Sequence, residues 1–190
     1  MKTLKEDEIS FDIESTSLFK KNTSPREYWK YPYIVQIAWA FGETNKSYII
    51  KPDNYLIGPE STKIHGITTE YALLKGAPII DVLHEFKKDL KGVKKIICHN
   101  IDFDIPVLLA NCYRHQFSID VLQKEAFCTM KYMTNICKLP GKYGYKYPKL
   151  IELYEFLFHK KPECRMHDAL NDVIITIECY REICKRYIDI

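Results

Sequence analysis

Two acidic residues, Asp12 and Glu14, sit one pleat apart in the stretch "ISFDIEST" near the start of the chain. At a period of two, Ile9, Phe11 and Ile13 fall on one face of a strand, and Ser10, Asp12 and Glu14 on the other. Like charges this close raise each other's pKa unless a cation or solvent holds them apart. Two further acids stand beside apolar stripes. Asp104, in "CHNIDFD", leads Val107, Leu108 and Cys112 at the spacing of one helix face. Its neighbour Asp102 competes for the same role and also reads as a helix cap. Asp172 lies against the stripe Ala169, Val173, Thr176, Tyr180, Ile183 and Tyr187 of a long helix, where by itself it reads equally well as the solvent edge of that stripe.

A buried carboxylate is costly unless it is paired or binds a metal. If the four acids converge, they form a hard-oxygen site without a cysteine or imidazole cluster, suited to two Mg²⁺ or Mn²⁺ ions rather than to Zn²⁺. Two such ions, roughly 3.5–4 Å apart, clamp the attacking and leaving oxygens of an in-line phosphoryl displacement.

Convergence depends on the elements that carry the acids. A first strand is expected over Glu8–Ile13, followed by the polar connection "STSLFKKNTSPREYWKYP". "YIVQIAWAF" and "KSYIIKP" read as two strands joined at "GETN". "KIHGITTEYALLKG" predicts a loop and a short helix, and Ile79, Val82, Leu83, Phe86 and Leu90 mark a helix between Pro78 and Gly92. "KKIICHN" predicts a buried strand, Asp102–Tyr113 a helix and "AFCTM" a last strand. Pro148 is expected to open a helix with the stripe Leu150, Leu153, Tyr154 and Leu157, and a final helix spans about His167–Tyr187. Three strands in a meander, then strands alternating with helices, predict an α/β fold of the ribonuclease H-like type, a mixed central sheet with helices on both faces.

The bulk numbers fit one domain over residues 1–190: 46% hydrophobic and 28% charged residues, with a formal net charge of +3. That charge is too small for a dedicated duplex-DNA binder, so nucleic acid has to be argued from the site. Seven scattered cysteines without a C-x-x-C pair argue against a disulfide framework or a zinc cluster. With no signal-peptide core and no apolar run of membrane-spanning length, a soluble, cytoplasmic protein is expected and a membrane partner is not.

"FDIEST" (Asp12, Glu14), "HNIDFD" (Asp104) and "HDALND" (His167, Asp172, as H-x-x-x-x-D) occur in the order of the DEDDh 3′–5′ exonucleases. The chain resembles the exonuclease domain of the proofreading subunit of bacterial replicative DNA polymerase from about Ile9 to Tyr187, and "IHGIT" and "YKYPKLIELYEFLF" resemble that subfamily too. The resemblance implies that Asp12 bridges two metals, Glu14 and Asp172 complete the first metal's shell, and Asp104 holds the second. It implies that His167 is the general base, for which an imidazole pKa near 6.5 is well suited. A helix turns through about 500° over five residues, so His167 is expected in a loop before the helix rather than on the face of Asp172. Ser15, Thr16, His65, Asn100 and Phe103 are expected to meet substrate. Ser15 and Ser17 stand where the family usually has Thr and Gly, and the polar "KEDE" is expected to shorten the first strand. The chain stops after the last helix, so the tail through which the bacterial subunit contacts its polymerase is expected to be missing.

"GKYGYKYPK" interleaves Lys142, Lys146 and Lys149 with Tyr143, Tyr145 and Tyr147, as a platform for single strands would. A plain Gly/Pro turn before the next helix explains it equally well. The reading that fits best is a metal-dependent 3′–5′ exonuclease acting on single-stranded or frayed DNA and releasing nucleoside 5′-monophosphates. The alternatives are an RNA trimmer of the same superfamily and a non-catalytic nucleic-acid-binding or polymerase-accessory module. The presence of all four acids and His167 weighs against the last of these.

Overall fold

The computed structural model describes residues 4–20 and 22–188. In chain order its elements are β1 (Glu8–Ser15), β2 (Ile34–Phe41), β3 (Thr44–Ile49), α1 (Pro59–His65), α2 (Thr69–Lys75), α3 (Ile79–Asp89), β4 (Lys95–Cys98), α4 (Ile101–Arg114), β5 (Glu125–Cys128), α5 (Thr129–Cys137), the small hairpin β6 (Pro140–Gly141) and β7 (Gly144–Tyr145), α6 (Leu150–Phe158) and α7 (Ala169–Tyr187). Five strands form one sheet in the order β3-β2-β1-β4-β5. The first three pair antiparallel, and β4 and β5 continue parallel to β1. This is the mixed α/β sheet of the ribonuclease H-like fold.

Strand β1 lies at the centre and is covered on both sides. Ile9, Phe11 and Ile13 join Trp39 from β2, Val82, Leu83 and Phe86 from α3, and Val107 and Leu108 from α4 in the largest core. On the other side Ala38, Ala40 and Ile97 meet Ala169, Val173, Ile177 and Tyr180 of α7. The register pairs Ser10 with Ala40, Asp12 with Ala38 and Glu14 with Gln36, so both acids share the α7 face with small residues. Small side chains let the helix approach closely, and the acids are therefore overlaid by α7. Beyond this layer, Met133, Leu153 and Leu157 pack on the outer flank of α7 through Ile175, Cys179 and Ile183.

Parallel pairing of β1 with β4 covers only Glu8–Ser10 against Lys95–Ile97. Past that point β1 runs on beside β2 alone, and a β-bulge shifts the register between Glu14 and Ser15. The strands part at the carboxyl end of β4, where α4 begins, and such a crevice is where open α/β sheets hold ligands.

Several boundaries differ from expectation. Strand β1 starts at Glu8, as expected, and runs two residues beyond Ile13. The "GETN" turn is tighter than expected, because β3 already starts at Thr44. Thr129 and Met130 of "AFCTM" belong to α5, whose short apolar stripe carries no strong sequence signal. Helix α1 is likewise absent from the sequence reading, since Ser, Thr and Lys dilute its periodicity. Lys149 rather than Pro148 takes the cap position of α6, its backbone N–H donating to Glu152 Oε2 at 2.8 Å. Helix α7 starts at Ala169, so His167 lies outside it. Among the described residues no helix is long and apolar enough to cross a membrane.

Candidate active site

The bulge and the two strand acids form one wall of the crevice. Asp172 comes from the first turn of α7, and Asp104, only 2% exposed, from the first turn of α4. A helix N-terminus stabilises negative charge, which partly offsets the burial of these two carboxylates. The backbone N–H of Ile13 faces the Asp104 carboxylate and favours its charged form, which sets α4 beside β1 at the level of the site.

Electrostatically the four acids are one unit. Burial first, then the charges of Asp104, Asp172 and Glu14, push the Asp12 carboxyl well above the usual carboxylate range. Burial and the charges of Asp172 and Asp168 push Glu14 up to about 7. Asp104 is raised well above its ordinary value, chiefly by burial, although the Ile13 amide works against the shift. Asp172 rises to about 6, again chiefly by burial, with the His167 amide opposing. Two oxygens, Asp104 Oδ2 and Asp172 Oδ1, are fully buried without a hydrogen-bond partner among the described residues. Clustered carboxylates with orphaned lone pairs form a hard-oxygen donor set that fits Mg²⁺ or Mn²⁺. Among the described residues none of the four forms an ion pair with Lys or Arg.

His167 sits at the rim. Its φ of 62° turns the chain into α7, its backbone N–H donates to Asp172 Oδ2 at 3.2 Å, and its ring is exposed. Ligand atoms of Glu14, His167 and Asp172 lie within 4.8 Å of one another. An exposed ring on a loop anchored by a buried acid can reach the crevice and still exchange protons with solvent.

The structure adds four residues that the sequence reading did not single out. Asp168 caps α7 by accepting the Asn171 N–H at 3.1 Å, and it puts a fifth carboxylate beside Glu14 and Asp172. Gln36, 5% exposed, accepts the Ala169 N–H through Oε1 and donates from Nε2 to Ser47 and Asp168, fastening α7 to β2. Its signal was a lone polar residue inside the apolar run "IVQIAWAF". His99 is held between Thr129 Oγ1 at 2.9 Å and the Pro148 carbonyl at 3.1 Å, and burial drives its pKa down to about 4. Arg165 lies against Gly66, whose φ of 81° ends α1, so that a Cβ there would collide with the guanidinium.

Of the residues expected to meet substrate, Ser15 and Thr16 follow Glu14, Asn100 and Phe103 precede Asp104 in sequence, and His65 lies near His167. Ser15 Oγ donates to the Ser17 carbonyl, and Thr16 exchanges bonds with Tyr33 in both directions, which fixes the chain after the bulge. His65 is buried, its Nδ1 accepting the Ile67 N–H at 3.1 Å, and its Nε2 has no partner among the described residues. Burial and the charges of Arg165 and His167 lower its pKa, which places the two loops side by side. Asn100 is exposed with φ 77°, and the partly buried Phe103 stacks on Phe19 at 5.6 Å between ring centroids. Asp102 does not cap α4. Asn100 occupies the cap position, and Asp102 points outward to Lys131 at 2.7 Å.

A sequence model of the exonuclease family, of the RNase T type, matches residues 9–180. The chain belongs to this exonuclease family. The epsilon subunit of DNA polymerase III from Salmonella typhimurium is 31% identical over 137 residues, which cover 69% of this chain and 51% of that protein. PolC-type DNA polymerase III from Streptococcus thermophilus is 27% identical over 135 residues, or 67% of this chain and 8% of that one. The chain thus matches about half of the epsilon subunit and a small part of PolC. Among solved structures, Escherichia coli exonuclease I in complex with a dA16 oligonucleotide gives a TM-score of 0.70 at 19% identity, covering 95% of this chain and 41% of that one. Exonuclease X in complex with 5′ overhanging duplex DNA gives 0.64 at 23% identity, covering 95% and 92%. These neighbours share the fold.

Proposed function

We propose that the chain is a 3′–5′ exonuclease domain over residues 1–190, hydrolysing phosphodiester bonds at the 3′ end of single-stranded or frayed DNA with release of nucleoside 5′-monophosphates. The observation that carries this reading is the buried carboxylate cluster with its two orphaned oxygens and His167 at its rim. Asp12, Glu14, Asp104 and Asp172 would hold two divalent cations, Mg²⁺ or Mn²⁺. Bound there, the ions supply charge stabilisation to an in-line phosphoryl displacement.

The chain's own residues do the rest. The His167 imidazole takes the proton of the attacking water at a ring nitrogen and passes it to solvent, which its exposure permits. The Asp172 carboxylate orients that loop through the His167 amide. The backbone after the bulge, at Ser15 and Thr16, receives the strand end, with Asn100, Phe103 and the His65–Gly66 turn bordering the terminal nucleotide. DNA is favoured as substrate because the epsilon and PolC relatives are named as DNA polymerase components and the exonuclease neighbours are DNA complexes. The same names suggest proofreading beside a replicative polymerase. Seven free thiols suit a reducing, cytoplasmic setting.

The test is a product ladder from 3′- and 5′-labelled DNA and RNA single strands, with and without Mg²⁺ or Mn²⁺. Stepwise shortening from the 3′ end, dependent on the cation and faster on DNA, is expected. Internal cleavage, shortening from the 5′ end or cation-independent turnover would overturn the reading.

A further inference from the structure

Between α5 and α6 the chain leaves the body of the protein. Every residue from Pro140 to Tyr147 is exposed, among them Tyr143 at 91%, Tyr145 at 52% and Tyr147 at 54%. The two strands of this hairpin pair only Pro140 with Tyr145 and Gly141 with Gly144. A two-stranded hairpin without a core beneath it is marginally stable, and its three exposed tyrosines belong to none of the hydrophobic clusters of the described residues. Nor is its charge balanced internally. Lys138, Lys142, Lys146 and Lys149 fall in a stretch without an acid until Glu152, which pairs with Lys146. Lys142 Nζ lies 5.1 Å from the centroid of the Tyr143 ring.

The hairpin is tied to the crevice. It returns through Tyr147, close enough to Lys131 to influence its charge, and Lys131 pairs with Asp102 in the first turn of α4. Next comes Pro148, whose carbonyl is bonded to His99 at 3.1 Å. His99 immediately precedes Asn100 and the helix that carries Asp104. From this anchor to the tip at Tyr143 is five residues, roughly 17 Å when extended. A strand whose 3′ end lies among the carboxylates can therefore reach the hairpin with nucleotides further upstream.

We propose that the hairpin from Pro140 to Tyr147 is a stacking platform for the single-stranded DNA upstream of the scissile bond. Tyr143, Tyr145 and Tyr147 offer faces to unpaired bases, and Lys138, Lys142 and Lys149 meet the backbone phosphates. Base–aromatic stacking accepts any sequence because every base has a π-face, as a nuclease that walks along a strand requires. This inference rests on the exonuclease reading and extends it to the part of the substrate that is not being cut.

The experiment separates binding from cleavage. Anisotropy of labelled oligo(dT) of 4 and 20 nucleotides, without divalent cations, is compared for the wild type, Tyr143→Ala, Tyr143→Phe and Lys142→Ala. Hydrolysis of the p-nitrophenyl ester of thymidine 5′-monophosphate with Mn²⁺ is measured alongside. Tyr143→Ala is expected to weaken the 20-mer by about five- to 150-fold, the range for one stacked base, and to leave the 4-mer and the ester unchanged. Tyr143→Phe keeps the ring and should bind like the wild type. Lys142→Ala should lower the slope of log affinity against log salt by about 0.7, one phosphate contact on a single strand. Equal 20-mer affinity in the wild type and Tyr143→Ala would overturn the platform even if the ester is cleaved. Length-dependent binding that Tyr143→Ala removes would sustain it even if the ester is not, in which case the catalytic reading fails instead.

Discussion

The same two elements, β1 and α7, bury acids at both ends of their contact, and the two ends behave differently. At one end Glu8, 4% exposed, accepts the Tyr180 hydroxyl at 2.7 Å and the Lys5 N–H at 3.1 Å. At the other end Asp12, Glu14 and Asp172 crowd together with Asp104, their pKa values pushed up and two of their oxygens without partners. Burial of a carboxylate is common to both. What separates a structural acid from a candidate ligand is the unsatisfied remainder, because a paired carboxylate has no further demand and an orphaned one does.

The comparison can be broken most directly by removing acids at the unsatisfied end. Asp12→Asn or Asp104→Asn should lower turnover on the order of 10³-fold or more, since several kcal/mol of transition-state charge stabilisation would depend on the ions proposed to bind there. Either change should also raise the melting temperature of the metal-free protein by relieving repulsion, and should remove most of the rise that Mg²⁺ causes. Glu8→Gln should do none of this. His167→Ala should cost about 10²–10⁴-fold in kcat while leaving the Mg²⁺-induced rise in melting temperature in place. Wild-type kcat in that variant would remove His167 from the mechanism.

The pH dependence sharpens the contrast. Glu14, at about 7, and Asp172, at about 6, hold their protons to higher pH when folded than when unfolded. The metal-free protein should therefore lose stability as pH rises from about 4 through 7, on the order of 3 kcal/mol for each of these groups. Saturating Mg²⁺ should flatten that limb. Taking the difference between the two denaturation profiles cancels contributions common to both, such as that of neutral, buried His99. A difference that stays constant with pH would mean that the ions bind elsewhere. At the satisfied end, Glu8→Ala leaves the Tyr180 hydroxyl buried without its acceptor and should cost about 1–3 kcal/mol in urea denaturation, with an unaltered response to Mg²⁺. Smallest is Asp102→Asn, which loses an exposed ion pair with Lys131 and should change stability by less than about 1 kcal/mol, with activity retained.

Much of this was legible in advance for identifiable reasons. Period two in "ISFDIEST" and the stripe behind Asp104 set the orientation of three acids, because alternation and helical spacing are local properties. The sheet and most helices followed from equally local patterns. That β1 is buried on both faces was not legible, since the cover over Asp12 and Glu14 arrives with α7 from the far end of the sequence. Asp102 and Asp104 could not be separated by cap preference, because Asn100 in a left-handed conformation occupies the cap position. Gln36, Asp168, His99 and Arg165 act through partners distant in sequence, and hydrogen bonds of that kind leave almost no mark on composition or periodicity. Helices α1 and α5 were missed because short helices depend on tertiary packing more than on propensity.

Helix α7 both covers the acid face of β1 and supplies Asp172. The cluster therefore joins residues from opposite ends of the sequence, contacts that are slow to form because the intervening loop must close first. On a ribosome, β1 through β5 and the helices between them emerge before α7, so the carboxylates of β1 face water until that helix docks. The nascent chain can bury its larger core early and completes its acidic cluster only when α7 docks. Intermediates in which α7 has not docked should accordingly be inactive as nucleases.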